Sequence, residues 1–348
     1  MQPIPTPPTE TAMIRALRLF VLFLLTWAGC ALVFFVFAAL MRPELRETAL
    51  EHPSERIAQV DTDRRVDLER AGAPSLWVDV DYSEGETASW YPQGESPIAA
   101  ELVAEGRLPP VAERVGSEPM VVRGPDGVGR YGGSLYQNVF NQSLLRSWVG
   151  DMSSERLVRW SPTGYPIVSS VARSWESNED KSVWRFHLRR GMRWSDGHPF
   201  TASDILFWWE VNTCRGENLW LYWMNVGGKR GEVVRIDDHT VEFRFPGPYG
   251  SFLEQLGKNA HVLPEHYLRP FHDILGDPQT WEKGMEEFGV PTPRALYAKA
   301  QDFFNPEKPV LTAWTYKTYR TNPPYRFVRN PYFFGVDEAG NQLPNDDS

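Results

Sequence analysis

Cysteine is almost missing from this chain, with two residues, Cys30 and Cys214, among 348. Cys30 sits inside an uncharged apolar run and Cys214 in the polar sequence beyond it, so a membrane surface would separate the two thiols. One soluble thiol excludes a disulfide framework and a cysteine-based metal cluster within a monomer, and leaves the redox compartment unread. Basic stripes are missing too. The 36 Lys and Arg are outnumbered by 45 Asp and Glu, for a net charge of −9, which excludes the electrostatic footprint of a nucleic-acid partner. There is no Gly-rich phosphate loop, no Ser-centred nucleophile elbow and no zinc-binding His-Glu-x-x-His helix. Carboxylates are plentiful, but no pair stands in a frame diagnostic of glycoside hydrolysis. His261, His266, His272 and Asp273 cluster in HVLPEHYLRPFHD, yet His266 and His272 are six apart and Pro264 and Pro270 break the segment, so no helix face gathers them around a metal. The chain reads as a non-enzyme with no cofactor and no metal.

What is abundant is aromatic: 13% of residues, with 14 Trp. Such rings either fill a core or pave a ligand cleft. Residues 1–13 are rich in Pro and Thr and read as disordered. Residues 14–41 hold an uncharged run, Leu19 to Met41, that as a helix spans roughly 35 Å, enough to cross a bilayer. This exceeds a signal-peptide core of about 7–15 residues, so an uncleaved signal anchor is favoured. Arg15 and Arg18 stand before it and belong on the cytoplasmic side, which places the bulk of the chain outside the cytoplasm. Cleavage after Ala38 and lipidation of Cys30, in Trp27-Ala28-Gly29-Cys30, are the alternatives. Residues 42–75 form a mixed-charge stalk, and residues 76–129 an N-terminal extension with a turn at Gly124–Gly127 and a helix at Ile98–Glu105.

The globular part is residues 130–348. Arg130–Phe140 reads as a strand opened by Gly132-Gly133. Val183–Leu188 alternates Trp184, Phe186 and Leu188 against Val183, Arg185 and His187, which is a half-buried strand. Trp194-Ser195-Asp196-Gly197 is a turn. Thr201 with Asp204 makes a capping box, opening a helix that ends near Cys214-Arg215-Gly216. Glu232–Phe245 is a hairpin turning at Asp237-Asp238-His239. Strands and helices in this mixture give an α/β or α+β fold.

Several of these blocks also resemble the bacterial extracellular solute-binding proteins of family 5, receptors of peptide, nickel and oligosaccharide ABC importers. Val171–Glu176, VARSWE, is similar to the family's LAESWE. Trp184–Trp194, WRFHLRRGMRW, is similar to YTFHLRKGVKW, and Trp194–Asp204, WSDGHPFTASD, to WSDGTPFTADD. Asn330–Phe334 resembles NPYYW, and Val336–Pro344, VDEAGNQLP, resembles VDEEGNQLP of a subgroup that opens with a YGG strand like Tyr131-Gly132-Gly133. The family's GPY block is not clear here, although Thr312–Tyr316 stands near its place.

The resemblance implies a periplasmic-binding-protein-like type II lobe behind the N-terminal transmembrane helix. It also implies a ligand, peptide or oligosaccharide, held in an interlobe cleft and delivered to an ABC permease with its ATPase subunits. The family pattern continues past NQLP into most of a second lobe, where this sequence reads Asn345-Asp346-Asp347-Ser348, so the lobe is expected to be incomplete. A membrane-anchored interaction module without transport activity is the alternative. The ligand carboxylate anchor of the family's second lobe has no counterpart among these residues. Residues near the opening strand and in an aromatic loop are the implied cleft-facing set: Gln137, Asn138, Asn141, Trp148, Trp220, Tyr222 and Trp223. Trp194, Asp196, Gly197 and Thr201 are assigned to turn and cap geometry instead.

Overall fold

A computed structural model describes residues 9–41, 55, 58, 59, 62, 77–124, 127–139, 141–152, 154–161, 166–216, 219–259, 262–318 and 324–348. The expectations for residues 1–8 and, apart from four isolated positions, for the charged stretch 42–75 lie outside the described residues. The chain divides into two units, 1–70 and 71–348. The first holds helix α1 (Thr9–Leu40). Its 24-residue segment Leu17–Leu40 reaches a mean hydropathy of 2.6 over its most apolar 18 residues, none of them buried within the protein; by length and composition it is able to cross a membrane. The hydroxyl of Thr26 donates to Leu22 O at 2.8 Å, so this polar group is satisfied within the helix.

The second unit runs in chain order through α2 (Pro97–Ala104), α3 (Val111–Val115), β1 (Met120–Val122), α4 (Gln142–Met152), β2 (Val158–Trp160), β3 (Ile167–Ser169), β4 (Ala172–Ser177) and β5 (Val183–Leu188). It continues with α5 (Ala202–Thr213), β6 (Asn225–Val226), β7 (Lys229–Arg230), β8 (Glu232–Asp237), β9 (Thr240–Arg244), α6 (Phe252–Leu256) and α7 (Glu265–Leu268). The last elements are α8 (Pro278–Phe288), α9 (Pro293–Ala300), β10 (Trp314–Tyr316), β11 (Phe327–Arg329) and β12 (Gly335–Asp337).

Its centre is an antiparallel sheet in the order β4-β5-β9-β8. The alternation in β5 is observed: Trp184, Phe186 and Leu188 are buried, and Phe186 lies opposite Val241 of β9. The β8–β9 hairpin turns where expected, with the backbone N–H of His239 donating to Asp237 Oδ1 at 2.7 Å. One ring organises the buried face. Phe252, fully buried at the start of α6, has Trp184, Phe243 and Phe245 around it at centroid distances of 5.8, 5.1 and 4.8 Å. On the other face, Glu242 of β9 accepts from Arg185 and Arg244. Burial works against ionisation of Glu242, but those two guanidiniums outweigh it and hold its carboxyl below the ordinary range.

The turn and cap read from the sequence are present. Gly197 has φ +89°, a conformation that favours glycine, and a Cβ there would press on the Tyr332 ring at 3.0 Å. Asp204 Oδ2 accepts from Thr201 N at 3.0 Å, closing the capping box, and its Oδ1 accepts from Glu265 N at 3.0 Å, so one buried carboxylate ties α5 to α7. Burial pushes this carboxyl up to about 6 against the pull of those two backbone donors.

The segment 76–129 is not set apart from the globular part. Strand β1 pairs in parallel with β12, Val121 beside Val336, and Trp90, Val115 and Val121 share one buried cluster with Val336. The fully buried Arg114 donates to Pro109 O at 2.9 Å and Gln342 Oε1 at 3.0 Å, and also to Glu95 and Pro331 O. Buried guanidinium groups need such partners, because an unpaired charge in the interior is prohibitively costly. Helix α2 matches the expected helix, capped by Ser96.

The Phe252 ring gives a direct test of this core. Phe252→Ala should lower the stability of the second unit by about 3–5 kcal/mol. Urea unfolding followed by tryptophan fluorescence measures it, and a loss below about 1 kcal/mol would show that the sheet face does not depend on this ring.

Candidate functional site

The opening segment does not form the expected strand. Residues 128–139 carry no regular secondary structure, and Phe140 lies outside the described residues. Gly132 and Gly133 have φ of +118° and +102°, outside the range of a pleated strand. The segment is held instead by the C-terminal residues. Gly132 N donates to Asn345 O at 3.0 Å, Asp347 N to Gly133 O at 3.0 Å and Leu135 N to Ser348 O at 2.9 Å. Arg329 on β11 fixes that tail: it donates to Asn345 O at 2.8 Å, to Asp347 Oδ1 at 2.9 Å and to Pro344 O, and its guanidinium lies 5.0 Å from the centroid of Tyr131. The Tyr131 hydroxyl donates to Gln342 O at 2.9 Å. Burial pushes this phenol up to about 12, against the pull of Arg329.

Held this way, residues 132–138 form an exposed ribbon in which Tyr136 is 92% accessible. Gln137 and Asn138 are both on it and exposed. The ribbon leads into α4. Asn141 is exposed, but its Oδ1 accepts from Leu144 N at 2.8 Å, so its oxygen serves the start of that helix. The spacing of α4 then sorts its faces. Leu145 and Val149 are buried with Phe304 and Tyr316, while Leu144 and Trp148 stay on the surface, Trp148 at 37%. Gln137, Asn138 and Trp148 are thus all on the surface, as are Tyr136 and Leu144.

The aromatic loop behaves differently. Residues 219–224 form a 3₁₀ turn in which Leu221 and Met224 are buried and Tyr222 is 71% exposed. Trp223 faces inward, 4% exposed, with its ring 6.1 Å from Trp208 and stacked at 6.2 Å on Phe252. Its expected place in a cleft is corrected to the core, where a ring packed on two sides has no face left for a ligand. The side chain of Trp220 lies outside the described residues. Leu221, Trp223 and Met224 of this turn pack in the core cluster of Phe252, while α4 is seated by a separate cluster.

The fold and the ordered blocks identify the chain's kin. A family model described as bacterial extracellular solute-binding proteins, family 5 middle, matches residues 166–345, just over half of the sequence. The chain belongs to the family 5 solute-binding proteins. Its fold agrees: an oligopeptide-binding protein, OppA, superposes with a TM-score of 0.67 at 37% identity, covering 74% of this chain and 41% of that one. The periplasmic binding protein MelB of Agrobacterium fabrum C58, in complex with stachyose, superposes at 0.56 with 27% identity, covering 74% and 40%. The periplasmic alpha-galactoside-binding protein of Rhizobium meliloti is 30% identical over 272 residues, 71% of this chain and 37% of that protein. The matched stretch thus spans well under half the length of these relatives.

The role given to Arg329 is open to test. Arg329→Ala should release the ribbon, raising amide exchange at Gly132, Leu135 and Asp347 at least tenfold while β5 and β9 stay protected. Unchanged exchange at those three amides would contradict the role of the guanidinium.

Proposed function

We propose that this family 5 chain supplies an extracytoplasmic ligand-binding surface of an ABC importer receptor for peptides or oligosaccharides. Helix α1 tethers it to the membrane, and the ribbon with Trp148 forms the side that meets the ligand. The observation that carries the reading is the exposure of Tyr136, Gln137, Asn138 and Trp148, on the ribbon and on the helix that follows it, in a member of a solute-binding family. Flat rings beside amide side chains suit both ligand classes. Rings stack on the apolar faces of sugars or on peptide side chains, and amides match hydroxyl or peptide groups. The relatives divide the same way, OppA being named for oligopeptides and the Rhizobium protein for alpha-galactosides. Binding without turnover is the activity, and the permease and ATPase subunits are the partners that use it.

The test is calorimetric titration of the protein purified from its membranes with a mixed tri- to pentapeptide pool and, separately, with stachyose. One of the two should bind, and Trp148→Ala should weaken that binding at least tenfold at an unchanged melting temperature. Binding of neither, or full affinity in the Trp148→Ala protein, would overturn the assignment.

A further inference from the structure

A cavity of about 620 Å³ is bordered by Arg146 of α4, by α5, the 262–264 loop, the end of α9 and the turn that follows it. This is within the size range of sites for small organic ligands. Trp194, Trp208, Leu263, Pro264 and Leu311 supply apolar wall. Into this setting the fold places a cation. Lys308 borders the cavity and is only 9% exposed. Its ammonium donates to Gln301 O at 3.1 Å, at the end of α9, and sits 4.8 Å from the centroid of Phe303. Among the described residues it has no other hydrogen-bond acceptor and no ion pair, so one of its three N–H donors is used.

The neighbouring charges are already spoken for. Glu155 accepts from Arg159 at 2.8 and 2.7 Å and from Ser170 at 3.0 Å. Asp302 accepts from Phe304 N at 2.9 Å and lies 3.5 Å from Arg146, whose guanidinium is itself 5.7 Å from the same Phe303 ring. Asp302 is thus paired with Arg146, while Lys308 makes no ion pair among the described residues, which leaves its positive charge uncompensated at the cavity wall. A role for Lys308 in closing the end of α9 accounts for one of its three donors. A single surplus charge matches a monoanion, and a wall of indole and aliphatic groups matches an apolar body.

We propose that this cavity is a second ligand site, binding a small carboxylic acid with an aromatic or aliphatic body. Its carboxylate is received by Lys308 and Arg146 and its body lies against Trp194 and Trp208. The site goes beyond the ligand surface proposed above and stands independently of it. Burial pushes the Lys308 ammonium down to about 8, with Asp302 acting the other way, so it remains charged at neutral pH.

The experiment uses the full chain with phenylacetate and its neutral isostere phenylacetamide, read by calorimetry and by tryptophan fluorescence at pH 7. Phenylacetate should bind at least tenfold more tightly than the amide, and Lys308→Met should erase that preference. Val211→Trp, which fills the cavity and leaves both cations in place, should abolish binding of both probes. Thermal melts of each variant separate lost binding from lost folding. If Lys308→Met does not fold, the acid–amide contrast in the unaltered chain and the effect of Val211→Trp decide the matter. Equal affinity for acid and amide, no binding at about 10 mM, or binding that survives Val211→Trp would overturn the proposal.

Discussion

The guanidinium of Arg329 is the fixed point on which the exposed surface depends. It stands on β11, whose pairing with β10 fixes its backbone, and its planar donors reach three successive parts of the tail at Pro344, Asn345 and Asp347. A lysine in its place would offer a point charge and could not span these acceptors in one plane. The tail in turn supplies the carbonyls and N–H groups that the Gly132–Leu135 backbone lacks for want of a strand partner. The ribbon is therefore ordered without being buried, which is the condition a preorganised binding surface needs.

Beneath the ribbon, the aromatic content divides by neighbourhood. Trp184, Trp194, Trp208 and Trp223 are all buried around the sheet, α5 and α6. Their abundance reflects a small sheet that needs bulky side chains to fill the space beneath helices and loops at native density. Leu144 and Trp148 escape that fate because α4 seats itself through Leu145 and Val149, one position further along each turn. The buried guanidiniums Arg114 and Arg189 do for the long connections what strands do for the core. Arg189 donates to Ser170 O and Pro119 O at 2.6 and 2.7 Å, fastening the segment before β1 to that before β4.

Much of this was legible from local rules. The alternation of β5, the β8–β9 hairpin, the Gly197 turn and the Thr201–Asp204 capping box are short-range patterns, and each forms as read. The family was legible from the same blocks. What local pattern could not reveal is long-range. Nothing near Gly132 announces that its partner is Asn345, and nothing near Val121 announces Val336, so local pattern alone predicts a strand at 130–140 and a separate extension at 76–129. Trp223 was misplaced for a related reason. Its run, Leu219–Met224, is apolar throughout, and only the packing of Phe252 decides that Tyr222 faces out while Trp223 faces in. Lys308 carried no signal in the sequence, since its meaning lies in the cavity around it.

The central claim is that the ribbon and the outer face of α4 meet the ligand. Hydroxyl-radical footprinting of the membrane-purified protein, with and without a bound peptide or stachyose, measures this residue by residue. The account predicts that Tyr136 and Trp148 lose most of their reactivity when ligand is added while Tyr222 keeps its own. Protection at Tyr222 with Tyr136 and Trp148 unchanged would contradict it and move the site to the 219–224 turn.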